Sequence, residues 1–176
     1  MATGTVLLPA QAATFPDGSA GNAGSALVRR KSTAAAPSPF WFELAFDGAT
    51  DEMCMWSFRM PADYASAPVL KVIYKMTTAI VGTIRIEGRI AAYDPGVDVT
   101  DADAKAFGTT NSVGETVPGV LGSKKEISLT LTNDDGLGAG DSVILYLRRD
   151  ADGTTGTDNV TTDMEVTDVS LEYTTT

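Results

Sequence analysis

The sequence predicts an all-β protein, an antiparallel β-sandwich that is jelly-roll-like, with an extended N-terminal arm. Three observations predict it. Apolar residues recur with a period of two from Phe40 onwards, which is the spacing that puts them on one face of a strand. Asp-Gly turn signals at Asp47-Gly48, Asp135-Gly136 and Asp152-Gly153 punctuate these runs. No strand-helix-strand alternation appears, which argues against a parallel α/β sheet. At 176 residues, one domain can bury roughly 70% of the surface of its extended chain.

Residues 1–39 are rich in Ala, Gly, Ser and Thr and carry Pro9, Pro16, Pro37 and Pro39. Such a stretch builds no core by itself. It reads either as an arm that lies on a neighbour or as a mobile tail. Its apolar pieces, Val6-Leu7-Leu8 and Ala26-Leu27-Val28, are suited to a sheet edge or a groove. The basic run Arg29-Arg30-Lys31 is either a solvated cluster or a device that registers the arm against an acidic surface. Removing residues 1–39 is expected to spare the fold and abolish attachment to a partner.

The body spans residues 40–176. Phe40, Phe42, Leu44 and Phe46 alternate with Trp41, Glu43, Ala45 and Asp47, and then Cys54, Trp56, Phe58 and Met60 with Met53, Met55, Ser57 and Arg59. Leu70, Val72, Tyr74 and Met76 form the next apolar face, followed by Ile84, Ile86, Gly88, Ile90 and Ala92, where the glycine marks a bulge or a close backbone approach. Ile127, Leu129 and Leu131 make another strand, and Val143, Leu145 and Leu147 the one after it. The last run changes phase between Met164-Val166 and Val169-Leu171-Tyr173. A bulge at Thr167-Asp168 keeps both sets on the core face. This makes seven strands, with an eighth available from the arm. Between them, residues 94–123 show no strand pattern. A loop of such length is often functional, and it is expected to cross one sheet or reach a neighbouring chain. Thr100 to Phe107 suits one or two helical turns with Thr100 as N-cap.

Composition excludes several functions. There is no histidine, so the commonest general base and transition-metal ligand are missing. The single cysteine, Cys54, lies on an apolar strand face and reads as a small buried hydrophobe. The net charge of -10 repels phosphate backbones and anionic membranes, which disfavours nucleic acid and membrane as partners. No apolar run approaches the length of a membrane span. The acidic loops around Asp150, Asp152 and Asp158, and around Asn133, Asp134, Asp135 and Asp141, lack the twelfth-position acid and flanking helices of an EF-hand and read as hairpin turns; no metal or cofactor is expected. Glu43, Asp47, Glu87 and Glu172 are candidates for a glycosidase pair, but each sits on the polar phase of a strand or at its end, so no catalytic residue is assigned. Trp41, on the opposite phase from Phe40 and Phe42, together with Met53 and Met55 forms an expected protein-contact patch, with sugar stacking as its rival use. The candidate partner-binding residues are therefore Val6, Leu7, Leu8, Leu27, Arg29, Arg30, Lys31, Trp41, Met53 and Met55.

Two segments resemble a group of tailed-phage virion proteins. Trp56, Phe58, Pro61, Asp63 and Tyr64 stand as W-x-F-x-x-P-x-D-Y. Gly140, Asp141, Val143, Leu145, Leu147, Arg149 and Asp150 stand as GD-x-V-x-L-x-L-x-R-D, followed by Val169, Leu171, Glu172 and Tyr173. The resemblance runs from about Phe40 to Tyr173. It implies a non-enzymatic capsid decoration (cement) protein on the outside of the virion, made in the host cytoplasm, that binds the major capsid protein and its own copies as a homotrimer. The residues alone leave open a carbohydrate-binding module or a fibre- or tail-associated receptor-binding protein.

Overall fold

The structure, a computed structural model, describes residues 2–99 and 101–176. Ten strands are found among them: β1 Thr3–Leu7, β2 Ala26–Lys31, β3 Phe40–Phe46, β4 Glu52–Arg59, β5 Tyr64–Met76, β6 Thr83–Tyr93, β7 Asn111–Thr116, β8 Lys125–Thr130, β9 Ser142–Arg149 and β10 Met164–Thr175. They form two antiparallel sheets. One has the order β2-β3-β10-β5-β8, with β1 also on β10; the other has the order β4-β9-β6-β7. This is the predicted β-sandwich, jelly-roll-like in its two-sheet, crossing connections.

The period-two pattern translates directly into the core. Leu70, Val72, Tyr74 and Met76 of β5 face Ile84, Ile86 and Ile90 of β6 and Val143, Leu145 and Leu147 of β9, all buried. The phase change in β10 is absorbed as expected. Val166 pairs with Tyr74 and Asp168 with Ile73, so Thr167 is the extra residue, and Met164, Val166, Val169, Leu171 and Tyr173 all reach the core. Gly88 is a close approach rather than a bulge. A Cβ there would lie 2.9 Å from Leu129 Cδ2 and 3.0 Å from Leu131 Cδ2, while the pairing of β6 with β9 runs through without a shift.

Residues 2–39 lie along the sandwich's own sheets, and the two apolar pieces, Val6-Leu7-Leu8 and Ala26-Leu27-Val28, sit in or beside the strands they add to it, as suits a sheet edge. β1 pairs with β10 and β2 with β3. Between them the chain crosses to the other sheet, where Thr14 and Met55 exchange hydrogen bonds of 2.8 and 3.0 Å and Ser25 N donates to Met53 O at 2.9 Å. Leu8 and Ala10 enter the core, and Trp56 Nε1 donates to Pro9 O at 3.0 Å. The segment is too polar to form a core alone, but it covers the open edge of β4 and one end of the sandwich. An uncovered edge is a liability for pairing with other chains.

The 94–123 excursion also departs from expectation, because it contains β7. That strand has one apolar residue, Val113, and lies at a sheet edge, so no alternation announces it. Residues 105–108 lie against the outer face of the four-stranded sheet, while 117–122 run beside the β5–β6 connection, where Val117 N donates to Gly82 O at 3.0 Å and Gly122 N to Met76 O at 3.4 Å. Phe107 packs on Tyr146 with ring centroids 5.5 Å apart, Gly108 N donates to Ile90 O at 2.8 Å, and Lys105 pairs with Asp135 at 2.9 Å. The helical turn is a short 3-10 turn, Ala102–Ala104, capped by Asp101, whose carboxylate accepts from Asp103 N at 3.0 Å. The expected cap Thr100 lies outside the described residues.

Candidate functional site

Strand β10 is flanked on one side by β5 along its whole length. On the other side it is shared. β3 pairs with Met164–Val166, and β1 with Ser170–Thr174. The two partners diverge at the bulge, and Leu8 N closes the fork on Val169 O at 3.0 Å. A groove of about 520 Å³ opens there, between Phe40–Phe42 of β3 and Leu7–Gln11 of the β1 end, with Ile73 and Thr167–Ser170 between them. Lys71, Glu126 and Glu172 complete its lining.

Its apolar wall is unexpected. Phe40 and Phe42 continue the inward phase of Leu44 and Phe46, yet they are 53% and 38% exposed. β3 extends past the region where the second sheet covers it, and period alone carries no information on where a facing sheet ends. Arg29 lies over the Phe40 ring at 4.7 Å and Lys31 at 5.8 Å. Leu7 is 76% exposed and Leu27 is also open.

Of the residues expected to bind a partner, Leu7, Leu27, Arg29 and Lys31 are on the surface, and Trp41 lines the groove half-buried. Leu8 is core, Val6 is half-buried against it, and Met53 is covered by residues 23–25. Met55 is half-buried beside Thr14. Trp41 and the two methionines belong to different sheets, so the expected Trp41–Met53–Met55 patch does not form.

Arg30 has a different role from its neighbours. It pairs with Glu43 and Glu165, and Lys75 pairs with the same two carboxylates, at 3.2 Å to Glu43 Oε2. Trp41 Nε1 donates to Glu43 at 3.0 Å. The quartet ties β2, β3, β10 and β5 together on the outer face of the sheet. Glu43, expected to be solvated, is fully buried beneath these side chains. Burial would push its carboxyl up, but the hydrogen bonds from Trp41, Arg30 and Lys75 outweigh that and hold it below the ordinary 4.5. The backbone N–H of Ala49, then that of Thr50, likewise lowers Asp47. Stability from such groups is complete above the ordinary carboxylate range and is lost as pH falls through it. The thermal midpoint should therefore be level near neutrality and fall once the pH drops below about 4.5. A Glu43→Gln variant should show a shallower acid slope. A midpoint that holds steady or rises in a pH-series of melting curves on acidification would refute this.

The acidic candidates serve the fold. Glu43 and Glu165 are bridged by cations, which leaves neither poised for acid–base work. Glu87, also expected on a solvated face, is buried, with Arg148 at 3.6 Å and Arg89 at 4.0 Å. Asp150 accepts from the backbone and hydroxyl groups of both Thr154 and Thr155. Asp158 receives two bonds from Arg149, at 3.0 and 3.1 Å. Asp51, Asp150 and Asp152 come together, but Arg148 already pairs with Asp51 and lies 3.5 Å from Asp150. Cys54 is fully buried, and burial raises its thiol pKa, so the thiolate needed for nucleophilic chemistry is suppressed. No helix among the described residues is long and apolar enough to cross a membrane.

No protein-family model matches this sequence, and no curated protein matches it. Some solved structures are similar to it over most of the chain. A family 35 carbohydrate-binding module from Clostridium thermocellum aligns over 96% of this chain and 97% of its own, with 14% identity and a TM-score of 0.48. The CBM22-1 xylan-binding domain of Paenibacillus barcinonensis Xyn10C aligns over 87% of each chain, with 8% identity and a TM-score of 0.44. The CBM36-1 domain of a multidomain xylanase from the hindgut metagenome of Trinervitermes trinervoides aligns over 99% of each, with 11% identity and a TM-score of 0.43. The likeness is one of architecture alone.

Proposed function

We propose that this chain is a non-catalytic binding protein of a tailed-phage particle, a decoration protein that grips the major capsid protein lattice and stabilises the head. The observation that supports it is the apolar surface at the fork. A chain of net charge -10 exposes Leu7, Leu27, Phe40 and Phe42 around the open end of one sheet, and apolar surface rimmed by polar groups marks a protein contact. The mechanism is adhesive. Each copy buries these side chains on the shell, and opening the shell must expose them again. The segments that carry the resemblance to virion proteins hold the body rigid behind this face.

Burying a Phe side chain contributes about 1.5–3 kcal/mol, so replacing both Phe40 and Phe42 with serine should weaken binding by roughly 100-fold or more. Both are surface residues, and the melting temperature should change little. Co-sedimentation with purified heads of the encoding phage is the measurement. Undiminished binding of the double variant would exclude the fork as the contact.

A second reading has an observation of its own. The groove sets Trp41 beside Lys71, Glu126, Asp168 and Glu172, a mixture of ring surface and polar groups that suits sugar hydroxyls. On this reading the chain is a carbohydrate-binding module or part of a receptor-binding fibre. Calorimetric titration with xylan and with a mixed-linkage β-glucan separates the two. Saturable binding lost in Trp41→Ala supports the glycan reading, and head binding without glycan binding supports decoration.

A further inference from the structure

The exposed faces of this chain include two that complement each other. The first is the β2 edge. Strand β2 ends its sheet, and its exposed Arg29 and Lys31 flank Phe40 without an acidic partner among the described residues. Leu27 and Phe42 lie on the same face, because Leu27 pairs with Leu44, Arg29 with Phe42 and Lys31 with Phe40. The second is the loop after β6. It carries Asp94, Asp101 and Asp103, all exposed and none with a basic partner among the described residues, together with the projecting side chains of Val97 and Val99, 71% and 101% exposed. The loop is held in shape from within. Tyr93 Oη donates to Asp98 O at 2.9 Å, and Asp94 N donates to Asp98 Oδ2 at 2.9 Å. Among the described residues nothing covers Val97 or Val99.

We propose that these faces bind each other between copies of this chain, the acidic valine-bearing loop of one copy seated on the basic, aromatic β2 edge of the next. A symmetric contact of β2 on β2 is disfavoured, since it would set Arg29 and Lys31 against their own like charges. The loop and the edge are distinct surfaces, so the contact is head-to-tail. Such contacts close into a ring when the rotation allows and extend otherwise. The apolar side chains supply the burial, and the charges select the partner and set its orientation. The contact shares Leu27, Phe40 and Phe42 with the fork face, so in any one copy it competes with the shell contact proposed there. It is read in the free chain, with neither heads nor glycan present, so its failure and the failure of that reading are seen in different experiments.

The test is a charge exchange in the full chain, read by sedimentation equilibrium and native mass spectrometry. Arg29→Glu with Lys31→Glu should weaken self-association at least tenfold, and Asp94→Lys with Asp103→Lys should do the same. A chain carrying all four substitutions should regain association, because both faces are then reversed. Among the described residues none of the four side chains makes an ion pair; the variants at Arg29 and Lys31 give up only exposed contacts with the Phe40 ring, and melting curves of every variant should stay within a few degrees of the parent. A parent chain that stays monomeric at every concentration overturns the proposal. So does an oligomer indifferent to both pairs, or a four-site variant no better than either pair.

Discussion

Arg149→Met is expected to destabilise the protein by about 3–5 kcal/mol. At this chain length that lowers the melting temperature by roughly 6–20 °C. Arg149 is fully buried on the core-facing phase of β9, in line with Val143, Leu145 and Leu147. Its guanidinium is spent on four partners, the most distant being Asp47 O at 3.4 Å. It forms a two-pronged pair with Asp158 at 3.0 and 3.1 Å, donates to Thr162 O at 2.7 Å, and donates to Val160 O. These bonds fasten the loop between β9 and β10 against the end of the sandwich. A methionine fills much of the volume but leaves Asp158, itself fully buried as a side chain, as an uncompensated charge, and three carbonyls lose their donor. Removing one partner of a buried pair is far costlier than removing both. The double variant Arg149→Met with Asp158→Leu should therefore recover a large part of the loss, which makes the pair measurable as a double-mutant cycle. Thermal unfolding followed by near-ultraviolet circular dichroism is the measurement. A single variant within about 1 kcal/mol of the parent would mean that the guanidinium is not the fastener described.

The residues behind the virion resemblance share this character. Asp63 accepts from Tyr173 Oη at 2.9 Å, Tyr64 packs on the Tyr173 ring with centroids 5.6 Å apart, and Asp141 accepts from Gly138 N at 2.7 Å. Trp56 holds Pro9. They are joints of the sandwich, and all but Val169 and Glu172 lie outside the groove. A resemblance carried by joints speaks to architecture, which is why the ligand has to be argued from the exposed faces.

How much was legible follows from what each pattern encodes. Strict alternation reports that a strand has an apolar face, and β3, β4, β5, β6, β8, β9 and β10 were all readable from it, including the bulge at Thr167, because a phase slip leaves a mark. Alternation is silent about coverage. Phe40 and Phe42 have the same phase as Leu44 and Phe46, and only the extent of the second sheet makes one pair surface and the other core. It is equally silent on strands stabilised by their neighbours alone. β1, β2 and β7 carry few apolar residues and exist because β10, β3 and β6 offer them an edge. Charged residues misled in the same way. Glu43 and Glu87 stand on polar phases, yet the cations of adjacent strands close over them, and register between strands distant in sequence is not written in local pattern.

The same reasoning reverses one expectation drawn from composition. Deleting residues 1–39 is expected to destroy cooperative folding rather than spare it. The deletion strips β1 from β10 and β2 from β3, baring two strands within one sheet. It removes Leu8 and Ala10 from the core and takes Pro9 O from Trp56 Nε1, a donor at the centre of the packed layer. It also removes Arg30 and leaves the buried Glu43 and Glu165 to share Lys75 alone. Burial of each large apolar side chain contributes about 1.5–3 kcal/mol, and an unbalanced buried charge adds a few more. Together these match the roughly 5–15 kcal/mol that holds a whole domain folded. The truncated chain should be insoluble, or compact without a near-ultraviolet signal and without a sharp thermal transition. A truncated protein that melts cooperatively within about 10 °C of the parent would show that the N-terminal strands are accessory, and attachment studies could then treat them as a detachable arm.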